Sequence, residues 1–169
     1  MRTFTLLAAL LAAGPALGAE AVALSVEGLT RSSDAVVRGT VREATPALSA
    51  DGRRVYTFVD VDVEETWRGQ DRRTVRVIVP GGEVGEIGQR VDGAARFAVG
   101  EDVVVFLNGA ETGAFRVAGM AQGKFRVAGS RAAPDLSHTV MSASLVAEGE
   151  RASEGMSLAE LEQRVRSVP

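Results

Sequence analysis

The sequence predicts a small all-β domain, a closed or partly open antiparallel barrel with a short helix at its N-terminal and at its C-terminal end. Valine-rich runs at 35–43, 55–67 and 74–79 alternate apolar with polar residues, which is the period of a strand with one buried face. Turn-forming residues separate these runs. With 46% hydrophobic and 24% charged residues, the composition is that of a globular domain.

A single register aligns the three runs, with turns centred near residues 50 and 70. It pairs Gly39 with Val61, Val41 with Val59, Val61 with Val79 and Val63 with Val77 on the apolar face, and Arg38 with Asp62, Arg42 with Phe58 and Glu64 with Arg76 on the polar face. A slip of one residue would turn every side chain to the wrong face. The sequence therefore predicts a three-stranded antiparallel meander.

The other elements of the first half follow from caps and glycines. Ser25 is the expected N-cap of a helix of about two turns that ends near Ser33. Loops are expected at 45–54 and, because of its five glycines, at 81–93, with a short strand through 87–91.

The second half begins with a buried strand at 102–107. The segments 114–118 and 124–128 share the wording Phe-Arg-Val-Ala and are expected to form one hairpin. Residues 139–147 fit a strand or a helix, and 148–155 reads as a polar linker.

A capping box opens the C-terminal helix, with Ser157 as N-cap, Glu160 three residues later and Met156 packing on Leu161. The helix is expected to run to about Arg166. Its apolar stripe consists of Leu158, Leu161, Val165 and Val168.

The N-terminus has the pattern of a secretory signal peptide. Arg2 is followed by an apolar run at 4–13 and a small-residue end at 16–19, and the run is about half the ~20 residues that a membrane span needs. We expect cleavage after Gly18 or Ala19 and an exported protein, periplasmic or extracellular. The expected organisation is a signal peptide at 1–18, a barrel domain at 19–147, and a linker with an amphipathic helix at 148–169.

Composition excludes several kinds of site. The chain has no cysteine, so disulfides and thiolate chemistry are excluded, and its one histidine excludes a multi-histidine metal site. A formal net charge of −3 argues against generic nucleic-acid binding, because no basic excess is available to neutralise phosphates. We expect no cofactor.

The strand pattern resembles a known family. The segments Ser33-Asp34-Ala35-Val36-Val37-Arg38-Gly39-Thr40-Val41, Trp67-Arg68-Gly69, Val75-Arg76-Val77-Ile78-Val79 and Phe97-Ala98-Val99-Gly100-Glu101-Asp102-Val103-Val104-Val105-Phe106-Leu107 carry the resemblance. They resemble the netrin-like module, the OB-like barrel also found in tissue inhibitors of metalloproteases, and a set of secreted bacterial proteins, over roughly residues 24–127. The resemblance implies an OB-like barrel. It does not imply the family's inhibitory mechanism, which uses an N-terminal cysteine that this chain lacks.

Three motifs have some of the residues of a metal, phosphate or catalytic site, but each lacks a required part or has a simpler explanation. Asp60, Asp62 and Glu64 share a strand face and suit Ca²⁺, but neighbouring arginines favour a cross-strand ion ladder. The spaced glycines Gly82, Gly85 and Gly88 lack the Lys-Ser/Thr end of a phosphate loop. His138 next to Ser137 has no identifiable triad partner.

Two regions remain as ligand-binding candidates. Tyr56 and Phe58 share the polar strand face with Arg42, and aromatic and basic groups on the early strands bind ligands in many OB-type barrels. The alternative is that a terminal helix or a loop covers these aromatics, since the C-terminal helix needs an apolar surface on which to pack. The glycine-rich loop contributes Glu83, Glu86 and Arg90.

The sequence thus predicts a secreted, non-enzymatic binding module whose partner is another extracytoplasmic protein. The alternative function is regulation or inhibition of a secreted protease without cysteine–zinc chelation. No nucleic-acid partner and no membrane span are expected, and the oligomeric state stays open.

Overall fold

A computed structural model describes residues 20–109, 113–136, 140–141 and 153–169. The predicted signal peptide, the Ser137–His138 pair and most of 139–152 lie outside these residues. Two helices are present, α1 (Val26–Arg31) and α2 (Leu158–Arg166), with a 3₁₀ turn at Met120–Gly123. The strands are β1 (Glu20–Ala21), β2 (Ala35–Leu48), β3 (Val55–Arg68), β4 (Thr74–Pro80), β5 (Gly82–Val84), β6 (Ile87–Gln89), β7 (Asp102–Asn108), β8 (Arg116–Val117), β9 (Lys124–Ala128), β10 (Arg131–Pro134), β11 (Val140–Met141) and β12 (Met156–Ser157).

The prediction of an all-β fold is confirmed. Eight strands form one antiparallel sheet in the order β12-β10-β9-β7-β2-β3-β4, with β8 paired to β7. The ladder is not closed, since β4 meets the segment before β8 only through a parallel bridge between Val77 and Phe115. Two backbone hydrogen bonds flank that bridge, from Ile78 N to Phe115 O at 2.8 Å and from Phe115 N to Arg76 O at 2.7 Å.

Apolar side chains cover both faces of the curved sheet. One cluster lies inside the curve formed by β2, β3, β4 and β7, and includes Val59, Val61, Val77 and Phe115. The other lies under the two helices and joins Leu29, Leu161 and Val165 to strand residues such as Trp67 and Phe106. Burial of these two apolar faces is the main stabilising contribution to the fold.

Both helices begin as predicted. The Ser25 side chain accepts a hydrogen bond from Gly28 N at 3.0 Å, and Ser157 accepts one from Glu160 N at 3.1 Å. In α2, Leu161 and Val165 are fully buried against α1 and the sheet. The α2 helix therefore packs on the cluster around Trp67, and the expectation that it covers Tyr56 and Phe58 is wrong.

The meander of β2, β3 and β4 is confirmed, but its register differs from the predicted one. Val41 pairs with Val61 and Val59 pairs with Val77, so the first pairing is displaced by two residues and the second by four. Because both displacements are even, the valines still face the core. The loop predicted at 45–54 is shorter, since β2 continues to Leu48 after a bulge between Val41 and Glu43.

Two further segments differ from expectation. In the loop predicted at 81–93, the expected short strand is present as β6, and it forms a hairpin with a strand that was not predicted, β5. The hairpin predicted from 114–118 and 124–128 does not form, because β8 and β9 each pair with β7 rather than with one another. They run in the same direction along β7, as two parts of one strand interrupted by the turn at 118–123.

Neither helix in the described part of the chain has the length and apolar character to cross a bilayer.

Candidate functional site

Two adjoining cavities open beside β4. The first has a volume of about 530 Å³ and is lined by Thr57, Val59, Val79, Pro80, Gly81, Gly82, Glu83, Gly88, Gln89, Arg90, Val91, Ala94, Ala95, Arg96 and Phe97. The second has a volume of about 350 Å³ and is lined by Tyr56, Ile78, Val79, Pro80, Ala94, Ala95, Arg116, Val117 and Met120. They share Val79, Pro80, Ala94 and Ala95, and we call the pair the divided groove.

The β5–β6 hairpin forms one wall of the first cavity and is fixed to the sheet by its backbone. Gly81 N donates to Val55 O at 2.8 Å, and Val55 N donates to the Gln89 side chain at 2.7 Å. Thr57 Oγ1 donates to Gly81 O at 2.7 Å. At Gly82, φ is +138° and a Cβ atom would lie 2.6 Å from Thr57 Oγ1, so only glycine fits this approach.

The 3₁₀ turn forms one wall of the second cavity. Met120 has a φ of +57°, a conformation that costs a non-glycine residue free energy, and its side chain is 41% exposed. Ala121 N donates to Gly93 O at 2.9 Å. The buried Gln122 amide accepts from Leu24 N and donates to Val22 O, both at 2.9 Å. The turn that presents Met120 is thus tied to two other segments, one at Gly93 and one at residues 22–24.

A buried ion pair lies next to Phe97, which lines the first cavity. Lys124 Nζ is 5.3 Å from the centre of the Phe97 ring and 2.5 Å from Glu101 Oε1. The side chains of Lys124 and Glu101 are only 3% and 6% exposed, and Arg126 Nε also donates to Glu101 Oε1, at 2.6 Å. The ion pair of Lys124 and Glu101 therefore lies against Phe97, which is the aromatic residue in the wall of the first cavity.

Burial and pairing act in opposite directions on these two groups. Burial lowers the pKa of the Lys124 ammonium, although its bond to Glu101 opposes that change. Burial would raise the pKa of Glu101, but hydrogen bonds from Lys124 and Arg126 outweigh it and hold that pKa below its usual value. Pairing thus dominates at the Glu101 carboxyl, whereas burial dominates at the Lys124 ammonium.

The groove carries more positive than negative side chains. Arg96 and Arg116 line it and form no ion pair within the described residues, while Arg90 lies 3.8 Å from Asp92. Glu83 is the acidic residue among those lining the first cavity.

The structure brings only some of the predicted site residues to the groove. Tyr56 lines the second cavity, and Glu83 and Arg90 line the first. Glu86 is exposed in the turn between β5 and β6 and lines neither cavity. Phe58 is half-buried beside Ile78 and Thr45 and lines neither cavity.

Arg42, predicted beside Phe58, lies at the bulge of β2 and binds carboxylates instead. Its Nη1 donates to Asp62 at 3.0 Å and its Nη2 to Asp60 at 3.3 Å. Arg76 donates to both oxygens of Asp60, at 2.7 and 2.8 Å, and this bond is the main cause of the lowered pKa of that carboxyl. The cross-strand ion ladder is therefore present, and no metal-binding group of three His, Cys, Asp or Glu occurs among the residues that the structure describes.

Sequence reasoning missed several groove residues, notably Phe97, Met120, Arg96 and Arg116. Sequence proximity gives no signal for them, because the groove joins residues 56–59, 78–97 and 116–120. Lys124 did carry a signal, since it is the single lysine beside 18 arginines.

No family model matches this chain, and no curated protein or solved structure is significantly similar to it.

Proposed function

We propose that this chain is an exported, non-enzymatic binding module, and that the divided groove receives a segment of another extracytoplasmic protein. The observation that carries the proposal is the pair of adjoining cavities, with apolar walls from Val59, Val79, Ala95 and Ile78 and a polar rim. Preformed concave sites with apolar walls and a few polar groups are the usual ligand sites of proteins. Because the two cavities adjoin and share four lining residues, they offer places for two neighbouring side chains of one peptide.

The framework of this module is proposed to be an OB-like barrel. The strand order supports it, because β2, β3 and β4 form a meander, β7 pairs with β2, and β8 pairs antiparallel with β7. The parallel bridge from Val77 to Phe115 lies where β4 and the last strand of such a barrel would meet. On this proposal, the resemblance to netrin-like modules extends to their topology.

The experiment is selection of phage-displayed random dodecapeptides on the protein lacking residues 1–19. Selected peptides are then titrated against Gly88→Trp, in which a bulky side chain stands at the wall of the first cavity. The substitution fits the backbone, because a Cβ atom at Gly88 has only the Glu83 Cγ atom, at 3.7 Å, within 4 Å. Ala128→Trp is the matched control, since Ala128 is exposed on β9 and lines neither cavity.

We expect peptides that bind the parent protein and Ala128→Trp equally and bind Gly88→Trp at least tenfold more weakly. Selection of no common sequence, or equal binding to all three proteins, would overturn the proposal.

A further inference from the structure

We infer that the occupant of the second cavity is an apolar group next to a negative charge, so that the partner segment places an acidic residue beside an aromatic or aliphatic one. This inference rests on the proposed function and adds the chemistry of the partner. The evidence is the state of the arginines, the composition of the cavity wall and the charge of the whole chain.

Some of the described arginines form ion pairs with carboxylates, and others, such as Arg53 and Arg73, do not. Those paired within 4 Å outside the groove are Arg38, Arg42, Arg76, Arg126, Arg164 and Arg166. An arginine that lines a cavity and has no such partner is available to an anion from outside the chain.

Arg116 is such an arginine in the second cavity. It is exposed on β8, forms no ion pair or side-chain hydrogen bond with any described residue, and is the charged residue among those lining the cavity. The other lining residues include Tyr56, Ile78, Val117 and Met120. A cation above an apolar pocket matches a ligand that carries an anion on an apolar body.

A second arginine lies close to the same cavity. A hydrogen bond to the Tyr56 side chain is the main cause that raises the pKa of Arg54, which lies two residues before Tyr56 in the chain. Arg54 thus adds positive charge near this cavity. In a chain with a net charge of −3, local positive charge is what allows an acidic segment to approach against the overall repulsion.

The adaptable side chain of Met120 fits an apolar occupant. Methionine has three rotatable bonds and a polarisable sulfur, and it occurs often on surfaces that accept different apolar partners. Here its strained backbone holds the side chain at the cavity wall at 41% exposure. The two parts of the inferred ligand thus have separate receptors, Met120 with Tyr56 for the apolar part and Arg116 for the charge.

Two dyes that differ in charge test the inference. The probes are 8-anilinonaphthalene-1-sulfonate, which carries one negative charge, and N-phenyl-1-naphthylamine, which is its neutral counterpart. Fluorescence titrations are made at 20 and 500 mM salt with the parent, Arg116→Gln, Met120→Asp and, as the matched control, Arg73→Gln. Arg73 is exposed, has no ion pair among the described residues and lines neither cavity.

We expect the parent to bind both dyes and the anionic dye more tightly at low salt. Arg116→Gln should weaken the anionic dye about threefold, the effect of one partly exposed charge, and leave the neutral dye unchanged. Met120→Asp should weaken the anionic dye more than the neutral one, and an aspartate tolerates the positive φ. Arg73→Gln should change neither.

The outcomes separate this inference from the proposed function. If the neutral dye binds and Arg116→Gln affects the anionic dye no more than Arg73→Gln does, the groove stands and its preference for an acidic segment is refuted. If neither dye binds and the peptide selection also fails, the proposed function falls with it. Selected peptides without acidic residues would likewise refute the inference and leave the groove.

Discussion

Arg164 donates from Nε and Nη2 to the two carboxylate oxygens of Glu27, each at 2.7 Å, and so joins the last helix of the chain to the first. Both side chains are about one-third exposed. The hydrogen bond from Arg164 is the main reason why the pKa of Glu27 falls to about 2. Because the helices also share the cluster around Leu29 and Leu161, this ion pair orients two elements that are already packed together.

The Glu27–Arg164 pair predicts an acid dependence of stability. A carboxyl with a lowered folded-state pKa contributes stability above its unfolded pKa of about 4.5, and this contribution is lost as the pH falls toward 2. Because the pair is partly exposed, we expect about 1 kcal/mol rather than several. Urea unfolding at pH 7, 4 and 2 should show Glu27→Gln less stable than the parent at pH 7, with the difference reduced at pH 4 and largely gone at pH 2. A constant difference at all three pH values would contradict this.

A substitution at Gly39 should lower the free energy of unfolding by more than the loss of the Glu27–Arg164 pair does. A Cβ atom at this position would lie 2.1 Å from the carbonyl oxygen of Asp62 on the neighbouring strand, so β2 and β3 would have to separate at their bulge. We expect Gly39→Ala to cost about 3 kcal/mol or more, as overpacking against a rigid backbone does. Gly88→Ala is the control and should change the free energy of unfolding by less than about 0.5 kcal/mol. Similar urea midpoints for both variants would mean that the strands are not this close.

The two faces of β3 predict opposite responses at adjacent positions. Val61 is fully buried, whereas Asp62 is half-exposed on the outer face and pairs with Arg42. Val61→Asp should therefore unfold the domain, because an unpaired buried charge costs several kcal/mol of the usual ~5–15 kcal/mol stability. Asp62→Ala should cost less than about 1 kcal/mol. Circular dichroism with urea titration distinguishes the two, and equal losses would show that β3 has its faces reversed.

The faces of the meander could be predicted because the alternation of apolar and polar residues shows which side chains point to the core. The register could not be predicted, because the same alternation does not show which residues of neighbouring strands pair. Val59, Val61 and Val77 are interchangeable valines, so pairings shifted by two or four residues look equally good in the sequence. The bulge between Val41 and Glu43 adds a residue to β2, and no glycine or proline at this point of the sequence indicates it. The helix N-caps were easier to predict, because Ser25 and Ser157 each bond to a residue only three positions away and the signal is therefore local in the sequence.

The groove could be predicted only in part, for a physical reason. Tyr56, Glu83 and Arg90 stood out as aromatic or charged residues in strand or loop context. The rest of the wall depends on β8 being one half of an interrupted strand, which brings Arg116 and Met120 next to β4. The similar sequences of β8 and β9 suggested a hairpin. A local sequence pattern does not distinguish a turn that reverses the chain direction from one after which the chain continues in the same direction along β7.

Deleting the C-terminal helix should expose the apolar surface on which it packs. Removal of residues 156–169 uncovers Trp67, Leu29 and their neighbours and also removes β12 from the sheet edge. We expect a lower melting temperature and increased binding of 8-anilinonaphthalene-1-sulfonate, because the exposed surface is a continuous apolar cluster. A protein that lacks only 167–169 is the control and should resemble the parent. An unchanged melt without added dye signal after the longer deletion would mean that the helix contributes nothing to the core.

The buried pair of Glu101 and Lys124 predicts an asymmetric loss when either partner is removed. Glu101→Gln leaves the Lys124 ammonium, 3% exposed, without its hydrogen-bonded carboxylate, and we expect a cost of about 3–5 kcal/mol. Lys124→Met leaves Glu101 bonded to Arg126 Nε at 2.6 Å and to Ala98 N at 3.1 Å, so we expect a smaller loss of about 1–3 kcal/mol. The methionine also keeps an apolar contact to Phe97. Urea midpoints at pH 7 measure both costs. If Lys124→Met were the more damaging change, Arg126 would not be sustaining the carboxylate, and the wall of the first cavity would depend on the lysine itself.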